Sequence, residues 1–127
     1  MNMDNVALSA DAVQQNHQVV FTLTVQNLSD SKKSMEFRSG QKYEIQVKDS
    51  SGEEIYRYSK GKMFIQSLSQ LVLEPGESKS YKETWDYFKE GHGLKTGKYQ
   101  AAFTFLGKWK EDGTYLTADK EFDISEK

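Results

Sequence analysis

The chain has 127 residues, 36% of them hydrophobic and 13% aromatic, which is enough for one folded domain with a modest core and excludes a disordered chain. Seventeen basic residues stand against nineteen acidic ones, a net charge of −2 without a long run of either sign, so the charge pattern does not favour nucleic acid as a partner. With no cysteine, disulfides, thiolate metal sites and a cysteine nucleophile are excluded.

Alternation of apolar and polar residues dominates the chain from its start. Val6, Leu8, Ala10 and Ala12 share one parity, and Val19, Phe21, Leu23 and Val25 repeat the rule with Thr22, Thr24 and Gln26 between them. Both runs predict half-buried strands, with His17 in the polar turn between them. After the polar turn Asn27 to Lys32, Met35 and Phe37 open a third strand, and Tyr43, Ile45 and Val47 make a fourth. Asp49 to Gly52 is a further turn, and Ile55 to Tyr58 a fifth strand. Ser59 to Ser69 breaks the pattern: Met63, Phe64, Ile65 and Leu68 fit neither alternation nor a capped helix, so the stretch is expected to be an extended loop with at most one helical turn.

Leu71 and Leu73 mark the next strand. It ends at Glu74-Pro75-Gly76-Glu77, where Pro and Gly occupy the central positions of a type II turn. Tyr81, Glu83 and Trp85 follow, then a long connection from Asp86 to Thr96. Tyr99, Ala101, Phe103 and Phe105 form a strand whose head, Leu94, Gly97 and Tyr99, reads either as a tyrosine corner or as an ordinary core tyrosine. Asp112-Gly113 suits a tight hairpin turn into Leu116, Ala118, Phe122 and Ile124. The sum is about nine strands at the spacing of an all-β sandwich or barrel, with no long helix and no linker, so residues 1–127 are expected to form a single domain.

The chemistry of catalysis is thin. Only two histidines occur, His17 in a polar turn and His92 between Gly91 and Gly93, and neither is placed to serve as a rigid general base or as part of a zinc site. Asp49, Ser51 and Glu53 alternate oxygens as a calcium loop does, but Gly52 is misplaced and no helices flank it. Asn27-Leu28-Ser29 matches the glycosylation sequon, a pattern without meaning in the absence of a secretion signal. Glu53 and Glu54 are adjacent and point to opposite faces of a strand. No stretch is long and apolar enough to cross a bilayer, and Met1 to Val13 lacks the basic and apolar regions of a signal peptide, so a cytoplasmic protein away from membranes is expected. Elimination ranks binding or inhibition above catalysis, with no cofactor and no metal.

For binding, the informative stretch is Arg57, Tyr58, Ser59, Lys60, Lys62, Met63 and Phe64, which mixes basic and large apolar side chains. It is either a partner-facing loop or a crossover whose aromatics Tyr56, Tyr58 and Phe64 fill the core.

Ser39-Gly40-Gln41-Lys42-Tyr43-Glu44, Tyr56-Arg57-Tyr58-Ser59-Lys60, Lys62-Met63-Phe64 with Gln66, and Leu73-Glu74 with Gly76-Glu77 stand in the order and spacing of the Bacillus intracellular proteinase inhibitor family, which this chain resembles over nearly its whole length. The match is most specific over residues 35–77 and loosest after Trp85, where Asp86 to Thr96 and Lys108 to Tyr115 carry extra length. The resemblance implies an immunoglobulin-like antiparallel β-sandwich in the cytosol that inhibits an intracellular subtilisin-type serine protease and is not itself an enzyme. The family supplies no motif for the inhibitory loop, so the site is inferred from the residues. Tyr58, Met63 and Phe64 are candidates for an apolar S1 pocket, and Arg57, Lys60 and Lys62 form the rim. Tyr87, Phe88 and Leu94 of the Asp86 to Thr96 connection compete with them. Two further readings stand beside inhibition: a non-inhibitory interaction module that pairs through a sheet edge, and a carbohydrate binder stacking on an exposed tryptophan, for which Trp109 is the serious candidate because Trp85 shares parity with Tyr81 and is expected in the core. The oligomeric state is not legible.

Overall fold

The computed structural model describes residues 6–87, 95–108 and 115–125. Nine strands occur there and no helix: β1 (Val6–Gln15), β2 (Gln18–Asn27), β3 (Lys33–Phe37), β4 (Tyr43–Lys48), β5 (Glu54–Arg57), β6 (Ser69–Leu73), β7 (Ser78–Trp85), β8 (Gly97–Phe105) and β9 (Leu116–Ile124). All pairings are antiparallel, in a sheet of order β1-β2-β7, a pair β3-β6 and a sheet of order β5-β4-β8-β9. The expected all-β sandwich is what the chain forms.

Side-chain alternation explains the layers. Along β2 every second residue, Val19, Phe21, Leu23 and Val25, is buried, and the same holds for Tyr43, Ile45 and Val47 on β4 and Tyr99, Ala101, Phe103 and Phe105 on β8. The larger core lies between the β1-β2-β7 and β5-β4-β8-β9 sheets, where Phe21 meets Phe103 and Phe122 edge-on and Tyr56 stacks on Trp85 with centroids 4.5 Å apart. Trp85 is core, as its parity with Tyr81 predicts; Trp109 lies outside the described residues. A smaller core joins Val6, Val25, Met35, Phe37, Leu73 and Phe105 under the β3-β6 pair.

Three junctions hold the layers in register. The β1-β2 hairpin turns on Asn16 and His17, with Asn16 at φ 58°, a left-handed value asparagine tolerates. On the other side of β1, Gln14 bonds both backbone groups of Ser125, accepting from its N–H at 2.9 Å and donating to its carbonyl at 3.0 Å, which ties β1 to the end of β9. β3 is tied to the chain leaving β8 by reciprocal backbone bonds between Glu36 and Lys108 of 2.6 and 2.8 Å. This close approach requires Gly107, where a Cβ would lie 2.8 Å from the Phe105 ring and 3.1 Å from the Met35 Cβ.

The turns behave as their residues dictate. Glu77 donates its N–H to the Glu74 carbonyl at 2.9 Å and Gly76 has φ 81°, the conformation a type II turn needs at that position. Asp49 caps the β4-β5 connection, its carboxylate accepting from the Ser51 N–H and hydroxyl and from the Glu53 N–H at 2.7–3.0 Å. Those bonds, the Ser51 hydroxyl foremost, hold its carboxyl below the ordinary carboxylate range. Its oxygens thus serve the turn. The Tyr99 hydroxyl donates to the Lys95 carbonyl at 2.6 Å, the backward bond of a tyrosine corner, and decides between the two readings of that residue. Asp112-Gly113, Leu94 and His92 lie outside the described residues, while the expected pairing of the last two strands is present.

Candidate functional site

The irregular stretch Ser59 to Ser69 leaves β5 at one edge of the four-stranded sheet and reaches β6 across the β3-β4 connection. Its course is fixed by backbone bonds. The Tyr58 N–H donates to the Ile45 carbonyl at 2.9 Å, continuing the strand. Two overlapping turns follow, Lys60 N–H to Arg57 carbonyl and Lys62 N–H to Ser59 carbonyl, both 3.1 Å, with Gly61 at φ 77° in the third position of the second. Beyond Lys62 the chain runs without helix or strand until Ser69. Midway, the Ile65 carbonyl accepts the Gly40 N–H at 2.8 Å, and at the far end Lys42 Nζ reaches Ser69 Oγ at 3.1 Å.

Side chains add a second set of anchors. Glu44 accepts the Ser59 hydroxyl at 2.5 Å and the Ser59 N–H at 3.1 Å, fixing the start of the loop to β4. Tyr58 packs on Tyr43 with centroids 5.0 Å apart and on Phe64 at 6.0 Å, and Lys62 Nζ lies 5.1 Å over the Tyr58 ring. Burial, followed by the charge of Glu83, pushes the Tyr58 phenol above its ordinary value.

These contacts separate the six residues expected to bind a partner. Tyr58, Lys62 and Phe64 are brought together, with both aromatics turned inward and half-buried. Arg57 turns back along the sheet, its guanidinium on Glu54 at 3.0 and 3.1 Å and 3.7 Å from Glu44. The Glu54 bonds raise the Arg57 pKa, and Glu54 is held low by Gln46 first and Arg57 second. Lys60 is exposed on the turn. Met63 alone of the three apolar candidates projects fully outward, 97% exposed. Tyr87 of the competing connection is buried, its hydroxyl accepting from Gln14 at 2.8 Å, while Phe88 and Leu94 lie outside the described residues.

Ile65 and Leu68 complete the exposed apolar surface at 76% and 70%, and the sequence reading left them out of the site. Their signal was present as apolar residues obeying no period. Gly40, Glu44 and Ser59, which hold the loop, stand in the segments that carry the family resemblance, but nothing in the local pattern marks them as anchors.

A model of the intracellular proteinase inhibitor family matches residues 6–110. The chain belongs to that family. The family consists of proteinase inhibitors and not of enzymes. No curated protein sequence matches the chain. Among solved structures it is similar to the sporulation control protein of Bacillus subtilis, with a TM-score of 0.54 and 9% identity over 98% of this chain and 51% of that one. It is similar at a TM-score of 0.54 and 8% identity to a penta-haem cytochrome c552 from Thermochromatium tepidum, over 95% of this chain and 40% of that one. A β-glucosidase from Kluyveromyces marxianus aligns with 17% identity and a TM-score of 0.49 over 95% of this chain and 14% of the glucosidase. The chain thus spans about half or less of each of these proteins, and at such identities the first two show a shared fold alone.

Proposed function

We propose that this inhibitor blocks an intracellular subtilisin-type serine protease in the cytoplasm by offering residues 61–66 as a substrate-like strand, with the Met63 side chain in the S1 pocket. The observation that carries the reading is the outward Met63 side chain on a segment outside any helix or strand whose backbone is bonded on both sides, at Tyr58 and Lys62 before it and at Ile65 after it. A loop already held in its bound shape loses little conformational entropy on docking, and here the sheet and Glu44 supply the rigidity that small secreted inhibitors obtain from disulfides.

In this reading the protease serine attacks the Met63 carbonyl carbon and Phe64 carries the leaving amine. Phe64 stays in place because its ring packs on Tyr58 and the next carbonyl, that of Ile65, is bonded to Gly40. The amine is therefore retained next to the acyl group, and resynthesis of the bond competes with hydrolysis. Lys60 and Lys62 flank the anchor at the rim, and Arg57, occupied by Glu54 and Glu44, shapes the sheet edge behind them.

The test is titration of a subtilisin-type protease with Met63→Ala, Phe64→Ala and Tyr58→Ala, each confirmed folded by its melting curve. Met63→Ala is expected to weaken inhibition by about a hundredfold, the range of a lost interface anchor, and the other two to convert a stable inhibitor into one that is slowly consumed. Undiminished inhibition by all three removes this loop as the site.

A further inference from the structure

The chain contains four methionines, and the two in the described residues sit at opposite extremes. Met35 has no exposed surface and is enclosed by Phe37, Leu73 and Phe105 in the smaller core. Met63 is exposed over 97% of its surface, at the tip of a loop none of whose anchoring bonds uses its side chain. A thioether is oxidised according to its access to the oxidant, so the fold protects one sulfur and presents the other.

We infer that Met63 is an oxidative modification site that switches the inhibitor off, the oxidant being a hydroperoxide; the switch rests on the proposed inhibitory role of this loop. The Sδ lone pair attacks the outer oxygen of the peroxide, the O–O bond breaks, and one oxygen passes to sulfur. The remaining oxygen takes up the proton and leaves as water from hydrogen peroxide or as an alcohol from an organic peroxide. Sulfur is oxidised by two electrons and the peroxide is reduced by two.

The product is a polar, chiral sulfoxide where the apolar thioether stood. Placing it in an apolar pocket strips its oxygen of water without supplying a donor, which opposes docking. The anchors at Gly40, Glu44 and the Tyr58-Phe64 pair are untouched, so the protein remains folded while the interface fails. A thiol-dependent sulfoxide reductase returns the thioether, the thiols being oxidised to a disulfide and the oxygen leaving as water, which makes the modification reversible.

The experiment treats the wild-type protein and Met63→Leu with hydrogen peroxide, removes the excess with catalase, and locates added oxygen by peptide mass analysis. Inhibition of a subtilisin-type protease and the melting curve are measured before and after. Wild type is expected to gain one oxygen at Met63 with Met35 unmodified, to keep its melting temperature and to inhibit about tenfold more weakly or worse. Methionine sulfoxide reductases of both epimer specificities with dithiothreitol are expected to restore it. Met63→Leu is expected to keep through peroxide treatment whatever affinity it has beforehand, which separates Met63 from Met1 and Met3. Quantitative oxidation of Met63 with unchanged inhibition, while Met63→Asp no longer inhibits, overturns the switch and leaves the loop assignment standing. Equal inhibition by wild type, Met63→Leu and Met63→Asp overturns both.

Discussion

Asn27 has no exposed surface, and every polar position of its side chain is filled from within the fold. Nδ2 donates to the Ser31 and Leu73 carbonyls at 2.8 and 2.9 Å, and Oδ1 accepts from the Ser29 N–H and hydroxyl at 2.9 and 2.7 Å. Its backbone holds the Pro75-Gly76 turn through Gly76 N–H to Asn27 carbonyl and Asn27 N–H to Glu77 carbonyl. The sequon it heads is thus a structural hub closed to modification in the folded chain. Asn27→Asp sets a carboxylate against two carbonyl oxygens and is expected to destabilise by roughly 2–4 kcal/mol, read as a lower denaturant midpoint at unchanged slope. A wild-type midpoint contradicts that role. Tyrosines govern the alkaline limit. Burial, and then the 2.7 Å bond to Glu83, raises the Tyr43 phenol far above its ordinary 10.0, and burial also raises Tyr58, Tyr81 and Tyr99. A raised phenol keeps its proton in the folded state at a pH where the unfolded chain has lost it. The stabilisation is complete below about pH 10 and is lost as pH climbs beyond, so melting temperatures are expected to fall steeply there and less steeply in Tyr43→Phe. Identical slopes in the two proteins contradict the assignment.

At the scale of elements, the loop between β5 and β6 is tied to the fold at four separate residues: Ile45, Glu44, Gly40 and Lys42. Glu44→Ala removes the acceptor of both Ser59 bonds and leaves the core intact. Amide exchange of residues 59–64 is expected to accelerate, and inhibition to weaken by about tenfold through lost preorganisation, with little change in melting temperature. Unchanged exchange excludes Glu44 as the clamp. Gly107→Val is expected to act in the opposite place, forcing β3 from the chain after β8 and lowering the melting temperature, because its side chain would collide with Phe105, Met35 and Phe37. Strands were legible because a period of two residues is a local property: Phe21, Leu23 and Val25 declare a face without reference to any partner. The Pro75-Gly76 turn was legible for the same reason. The loop's anchors were not, since Gly40 and Ile65 or Glu44 and Ser59 meet only after β4 and β5 have paired. Tyr58, Met63 and Phe64 are equivalent apolar residues on paper. Only the direction of the backbone, which turns two inward onto each other and one outward, divides them.

At the scale of the whole molecule, the described residues form two cores and antiparallel sheets closed at the Gln14-Ser125 junction, and the chain, having no cysteine, has no disulfide. Among the described residues no three histidines or carboxylates gather as a metal site would require, and its family is one of inhibitors. The large buried side chains Trp85, Phe21, Phe37, Phe103 and Phe105 supply the stability of the scaffold, and under the proposed function that stability serves to keep the β5-β6 loop in one shape. The most direct measurement is mass analysis of the protein recovered from a fully inhibited, equimolar mixture with a subtilisin-type protease. The account predicts intact protein in equilibrium with a single nicked form cut between Met63 and Phe64, both forms inhibitory. A nick at any other bond, or full inhibition with the Met63–Phe64 bond never cut after prolonged incubation, contradicts it.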